Sequence, residues 1–179
     1  TVFYRTWGRK NGDATNCAVW PPVCTYQGMD SLLHLRYMQM ATDNNALLSP
    51  AGVVWKNLRN YHPEIELYAT DGSHPSMAGS SAVACSFYAV ILRKAPALIT
   101  YQAGLPDSVA TIIRSAARAV VYDSLSTWLV GKYDPVASFE YALTDNILST
   151  QNNSSNATSY LWDFGDGSYA TDFSPSHTY

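Results

Sequence analysis

From Thr1 to about Tyr122 short apolar runs alternate with longer stretches whose apolar residues recur at helical spacing. No other feature limits the fold so tightly, because strand and helix in strict alternation are best satisfied by a parallel sheet with helices packed on its faces. "TVFYRTWG", residues 1–8, has the β-branched and aromatic content of a strand and runs into a polar loop. Met29, Leu33, Tyr37 and Met40 form a helical stripe, predicting a helix from about Met29 to Asn44. "ALLSP" reads as a short buried strand stopped by Pro50, "AGVVWKNLRNYH" as a helix ended before Pro63, and "EIELY", Glu64 to Tyr68, as a third strand. Ser76 to Leu92 is strongly helical, with Val83, Ala84, Phe87, Tyr88 and Ile91 on one face and Pro75 suiting its first turn. A further helix spans about Asp107 to Tyr122, and "DSLSTWLVG" closes an α/β domain of residues 1–132.

The pattern changes at Gly131-Lys132-Tyr133-Asp134-Pro135. Residues 135–179 turn to short alternating strands separated by Asn, Ser, Thr and Asp, the pattern of an Ig-like β-sandwich, here only part of one. With 47% hydrophobic and 14% charged residues the chain can bury a core, which excludes wholesale disorder. The formal net charge of −3 implies neither a nucleic acid nor a charged membrane surface as partner. No apolar run approaches the roughly 20 residues of a membrane span. The chain starts at Thr1 without an initiator methionine and stops inside a strand-like pattern, so both ends read as cut and an absent leader carries no message.

Cys17 and Cys24 bracket a loop rich in Asn, Asp, Gly and Pro. Their spacing favours a local disulfide in an oxidising compartment over two free thiols, and closing so short a loop would stabilise by about 2.5 kcal/mol in the chain-entropy view. Cys85 lies in an apolar helical run and reads as a small buried hydrophobe.

The chemistry concentrates in "DGSH", Asp71 to His74. In open α/β sheets functional groups collect beyond the carboxyl ends of strands, and these residues follow the strand expected at Glu64 to Tyr68. A carboxylate three residues before an imidazole can accept the Nδ1 proton, fix the tautomer and leave Nε2 facing outward as a general base. Such a base would serve a serine hydroxyl, a poor nucleophile until a neighbour takes its proton. The same residues also suit a plain polar turn in which Asp71 and Ser73 cap the next helix and His74 is a solvated loop residue.

The run "LYATDGSHPSMAGSSAVACSFYAVIL" resembles the last conserved block of the SGNH, or GDSL-type, serine hydrolases, in which D-x-x-H opens the final helix. "FYRTWGRKNGD", the loop ending "CTYQGM" and "SPAGVVWKNLRN" are similar to a secreted bacterial branch of that family. The resemblance covers roughly residues 1–130. It implies a three-layer, flavodoxin-like fold, present here in part. It also implies that Asp71 and His74 are the acid and base of a Ser-His-Asp triad whose substrate is an acylated carbohydrate or other ester, with no cofactor. The family's Gly-Asp-Ser nucleophile block and its oxyanion glycine and asparagine are not found in this sequence. Gly8-Arg9-Lys10-Asn11 has one residue too many to supply the asparagine block, so Asn11 receives no oxyanion role. The expectation is therefore the C-terminal part of a hydrolase, inactive by itself because loss of the serine alone costs on the order of 10⁶ in turnover.

"SYLWDFGDGSYATDFSPSHTY" places Tyr160, Trp162 and Phe164 on one face and a hairpin turn at Asp166-Gly167. It is similar to the W-D-F-G-D-G and H-T-Y signature of PKD domains, Ig-like modules that accompany secreted hydrolases. Asp163 and Asp166 lack the spacing of a calcium loop, and His34, His62 and His177 share no ligand spacing, so no metal is expected. Trp7, Arg9, Asn11 and Asp13 either border a substrate cleft, with Trp7 and Asn11 its contact residues, or form a solvated loop around a packed tryptophan. Asn152, Asn153 and Asn156 each begin a glycosylation sequon but read as polar linker. Two functions stay open: a secreted or cell-surface bacterial serine esterase, and a non-catalytic surface or carbohydrate-binding protein on a hydrolase-like scaffold.

Overall fold

The structure is a computed structural model describing all 179 residues. It forms a mixed α/β chain of two compact units, Thr1–Lys132 and Tyr133–Tyr179.

In the first unit, β1 (Val2–Tyr4) leads through a loop and a short 3₁₀ turn (Pro21–Cys24) into α1 (Tyr26–Asp43), which returns the chain to β2 (Leu47–Ser49). The two strands pair in parallel, Val2 with Leu47, Phe3 with Leu48 and Tyr4 with Ser49. A parallel pair needs a crossover element, and α1 supplies it while packing on both strands. Side chains alternate along a strand. Tyr4 meets Phe87, and the Ser49 hydroxyl bonds that of Ser86 at 3.0 Å, both on α3 (Met77–Leu92). Leu48 has the opposite parity and is also fully buried, so β2 is covered on both faces as parallel strands are. Helices α2 (Ala51–Tyr61), α3 and α4 (Asp107–Val120) pack on one another, and Val54, Trp55, Leu58, Val90, Ile113 and Val121 fill the space between them.

Two expectations need correcting. Glu64 to Tyr68 does not form a third ladder strand; it makes one antiparallel bridge, Tyr68 with Pro75. Its polar groups bond within the loop that follows instead: Ser76 N–H donates to Leu67 O, the Ser76 hydroxyl to Glu66 O, and Ala69 N–H to His74 O. Ile65 and Leu67 are nonetheless buried, and that burial is the apolar signal mistaken for a strand. The second correction concerns α3. Its buried face is Ala78, Gly79, Ala82, Cys85, Ser86, Ala89 and Val90, whereas Val83, Phe87 and Tyr88 are half-buried and Ala84 and Ile91 exposed. Small residues win the inner face because the helix lies very close to its neighbours. A Cβ at Gly79 would collide with the Leu67 carbonyl oxygen and the Trp55 ring.

The second unit contains antiparallel strands only. β3 (Phe139–Thr144) and β4 (Ile147–Asn152) form a hairpin, β7 (Ser176–Thr178) joins the far edge of β4, and β5 (Trp162–Asp163) pairs with β6 (Tyr169–Ala170). Tyr160, Trp162 and Phe164 are half-buried while Leu161 and Asp163 are exposed, matching the alternation read from sequence. All six residues of β3 are exposed.

Candidate functional site

The Asp71–His74 turn is built by its own residues. Gly72 N–H donates to Ala69 O, and Gly72 has φ +66°, a left-handed conformation that a residue with a Cβ adopts only under strain. Asp71 Oδ1 accepts the backbone N–H groups of Ser73 and His74, each at 2.9 Å, and its Oδ2 lies 2.5 Å from His74 Nδ1. One carboxylate thus closes the turn and orients the ring. Its bond to the His74 ring, followed by the two backbone donors, holds the Asp71 carboxyl well below the usual carboxylate range. The His74 side chain is 81% exposed, so Nε2 faces outward.

The loop after β1 grips this turn from outside. Lys10 N–H donates to Gly72 O at 2.8 Å, Trp7 Nε1–H to Ser73 O at 3.0 Å, and the Tyr68 hydroxyl to Gly8 O at 2.7 Å. Trp7 stacks on Trp55 with ring centroids 3.8 Å apart and planes 7° apart, and Trp55 Nε1–H donates to Gly79 O in the first turn of α3. Burial raises the Tyr68 phenol to about 12, so it donates as a neutral group. Arg59 lies over the rings of Tyr26 and Tyr68, 4.0 and 5.3 Å from their centroids, and donates to Lys10 O.

Of the residues singled out from the sequence, Asp71 and His74 are brought together. Trp7 packs behind the turn and holds it. Asn11 is exposed and lines, with Lys10, Glu66, Tyr68, Asp71 and Gly72, a cavity of about 390 Å³ on the Asp71 side; His74 is not part of that lining. Arg9 pairs with Asp13 at 3.2 Å, and Asp13 accepts the N–H groups of Thr15 and Asn16, which organises the start of the next loop. Cys17 and Cys24 are joined by a disulfide, and Cys85 is free and buried. His177 pairs with Asp166 in the second unit.

Two charged residues that sequence reasoning passed over lie deepest. Arg5 at the end of β1 and Asp30 on α1 form a fully buried ion pair, to which Lys56 on α2 adds a contact at 3.1 Å. A signal existed: Asp30 falls in the register Tyr26, Asp30, Leu33, Tyr37, a carboxylate set on the apolar stripe of its helix. The Arg5 Nε and Nη1 have no hydrogen-bond partner, so the pair is compensated on one side only.

Searches of protein-family models, curated proteins and solved structures return no match to this chain. The functional reading therefore rests on the residues alone.

Proposed function

We propose that the first unit carries the acid–base half of an SGNH-type serine esterase, and that the second is part of a PKD-like module. The reading rests on one observation: Asp71 and His74 sit 2.5 Å apart on an exposed turn, with the carboxylate on Nδ1 and the other ring nitrogen free to work outward. In this role Nε2 takes the proton of a serine hydroxyl as that hydroxyl attacks an ester carbonyl. The imidazolium so formed is stabilised by Asp71, and its proton passes to the leaving alcohol. Water then repeats the sequence on the acyl-enzyme. The serine and the oxyanion donors belong to motifs this sequence does not contain, so residues 1–179 alone should hydrolyse p-nitrophenyl acetate no faster than free imidazole at the same concentration. The Cys17–Cys24 disulfide supports a secreted or cell-surface location, the one the resemblance of both motifs implies.

The deciding experiment uses the product of the whole reading frame that encodes these residues. His74→Ala should lower its turnover of p-nitrophenyl acetate by at least about 10³-fold with an unchanged circular dichroism spectrum. Turnover retained in that variant removes the triad assignment. The other reading, a non-catalytic binder, is favoured by the cavity that Asp71 lines and His74 does not. It predicts a whole-frame product that lacks activity even before substitution.

A further inference from the structure

The loop that follows β1 grips the Asp71–His74 turn at Lys10, whose N–H donates to Gly72 O. Three residues on, the same loop is clamped. Asp13 N–H donates to Val23 O at 2.8 Å, and Asp13 O accepts Cys17 N–H at 3.0 Å. Both backbone groups of Asp13 are thus bonded to the two arms of one covalent ring, because a disulfide joins Cys17 to Cys24. Gly12 presses on the second arm. It has φ +80°, and a Cβ there would collide with the Cys24 carbonyl and the Thr25 nitrogen.

From clamp to grip the chain has no slack. Gly12 N–H donates to Arg9 O at 3.1 Å, and the Arg9 guanidinium lies 3.2 Å from the Asp13 carboxylate. Arg59 holds Lys10 O from another side. Arg9 to Asp13 is therefore one closed turn, with the bend carrying the acid and base at one end and the disulfide ring at the other. A shift of Asp13 has to be felt at Lys10.

Little else keeps the ring in shape. Val23 is the one buried residue between Ala14 and Cys24. Apart from the sulfurs, the ring is closed by Val19 and Trp20 N–H to Asn16 O and by Val23 N–H to Trp20 O. Each such bond has a modest net worth, so without the crosslink the two arms can part in a local opening that leaves the helices folded.

We propose that the Cys17–Cys24 disulfide is a positioning element for the Asp71–His74 pair: it fixes Asp13 and, through the Arg9–Asp13 turn, the hold of Lys10 on Gly72. Its consequence for turnover rests on the esterase reading, whereas the hold itself is measured without substrate. A crosslink that only stabilises the fold acts through the unfolded chain. Its loss speeds every globally protected amide of the first unit by one common factor. A positioning crosslink adds a local effect on top of that factor.

The test is hydrogen exchange, resolved by residue, on the product of the whole reading frame and on its Cys17→Ser/Cys24→Ser variant. The amides of Lys10, Asp13, Ser73 and His74 should exchange at least about fivefold faster beyond whatever factor α3 and α4 show, the effect of losing about one hydrogen bond. Gly12→Ala keeps both sulfurs but drives a Cβ into the Cys24 carbonyl, and should give the same local pattern. In both variants the Asp71 carboxyl, followed by its carbon shift, should titrate closer to the ordinary carboxylate range than in the wild type. One common factor for these four amides and the helices overturns the proposal, as do four amides that exchange as in the wild type. A double variant that fails to fold also overturns it, since the bond is then a staple of the whole unit. The local pattern in a product without esterase activity upholds the clamp and removes the esterase reading.

Discussion

Each unit carries one histidine paired with one aspartate, and the two pairs are opposites. His74 uses Nδ1 toward a carboxylate three residues away, is 81% exposed and leaves Nε2 outward. His177 uses Nε2 toward Asp166, eleven residues away, and is 15% exposed. Its ring stacks on Phe164 at 4.3 Å and meets Tyr179 edge-on at 4.8 Å, while the Tyr179 hydroxyl donates to Phe164 O. The second pair ties β7 to the turn of the β5–β6 hairpin. A histidine beside a carboxylate is not in itself a sign of chemistry. Which nitrogen is occupied, and whether the other meets solvent, separates a base from a staple.

Removing each ring in turn should separate the two pairs most strongly. In the whole-frame product, the loss of turnover expected for His74→Ala should have no counterpart in His177→Ala, which should instead loosen the second unit. Equal activity losses would end the distinction. Next in size is the buried ion pair of the first unit. Asp30→Asn leaves Arg5 buried without its counter-charge and should cost roughly 3–5 kcal/mol of stability, read as a fall in the urea midpoint of the first unit with the second unit's signals unmoved.

Smaller effects probe how each ring is held. His177→Ala forfeits ring contacts worth about 1 kcal/mol, seen as faster amide exchange in β7. Trp7→Phe keeps an aromatic ring against Trp55 but removes the hydrogen bond to Ser73 O. It should cost about 1 kcal/mol and broaden the backbone resonances of Asp71 to His74 without disturbing α4. Sharp, unshifted resonances there would deny Trp7 its hold on the turn.

The smallest effect is on pH. Both carboxylates are depressed, Asp71 chiefly by the His74 ring and Asp166 chiefly by the Ser168 backbone N–H and then by His177. A carboxyl held below its unfolded value takes up a proton on unfolding. Its contribution is therefore complete above the ordinary carboxylate range and is lost only as pH falls through the folded value. Both pairs should persist through mild acid, as followed by the carboxyl carbon shifts of the two aspartates. Titration of either at an ordinary carboxylate pH would mean that its pairing does not hold in solution.

The parts of this molecule that could be read in advance are those whose cause is local. The Asp71 turn closes on backbone groups two and three residues away, the disulfide spans seven residues, and α2 and α4 begin and end close to where their apolar spacing and flanking prolines place them. What stayed hidden depends on partners distant in sequence. Glu64 to Tyr68 has the composition of a strand, yet its one bridge is to Pro75 in the loop that follows. Helix α3 is apolar around most of its circumference, so periodicity could not say which side faces inward. That choice was made by Gly79 against Leu67 and Trp55. Arg5 and Asp30 stand 25 residues apart, and only the fold brings them into contact. Trp7 could be read as a cleft residue or as a packed one, because nothing near it in sequence announces a stacking partner at position 55.

The parallel indoles of Trp7 and Trp55 also give the molecule an optical signature. Two chromophores this close share their electronic excitation and should give an ultraviolet band pair distinct from the absorption of two separate indoles. Because one indole is bonded to the carbonyl of Ser73 and the other to that of Gly79, the band pair would report whether the bend and the helix behind it are still joined, with no label attached.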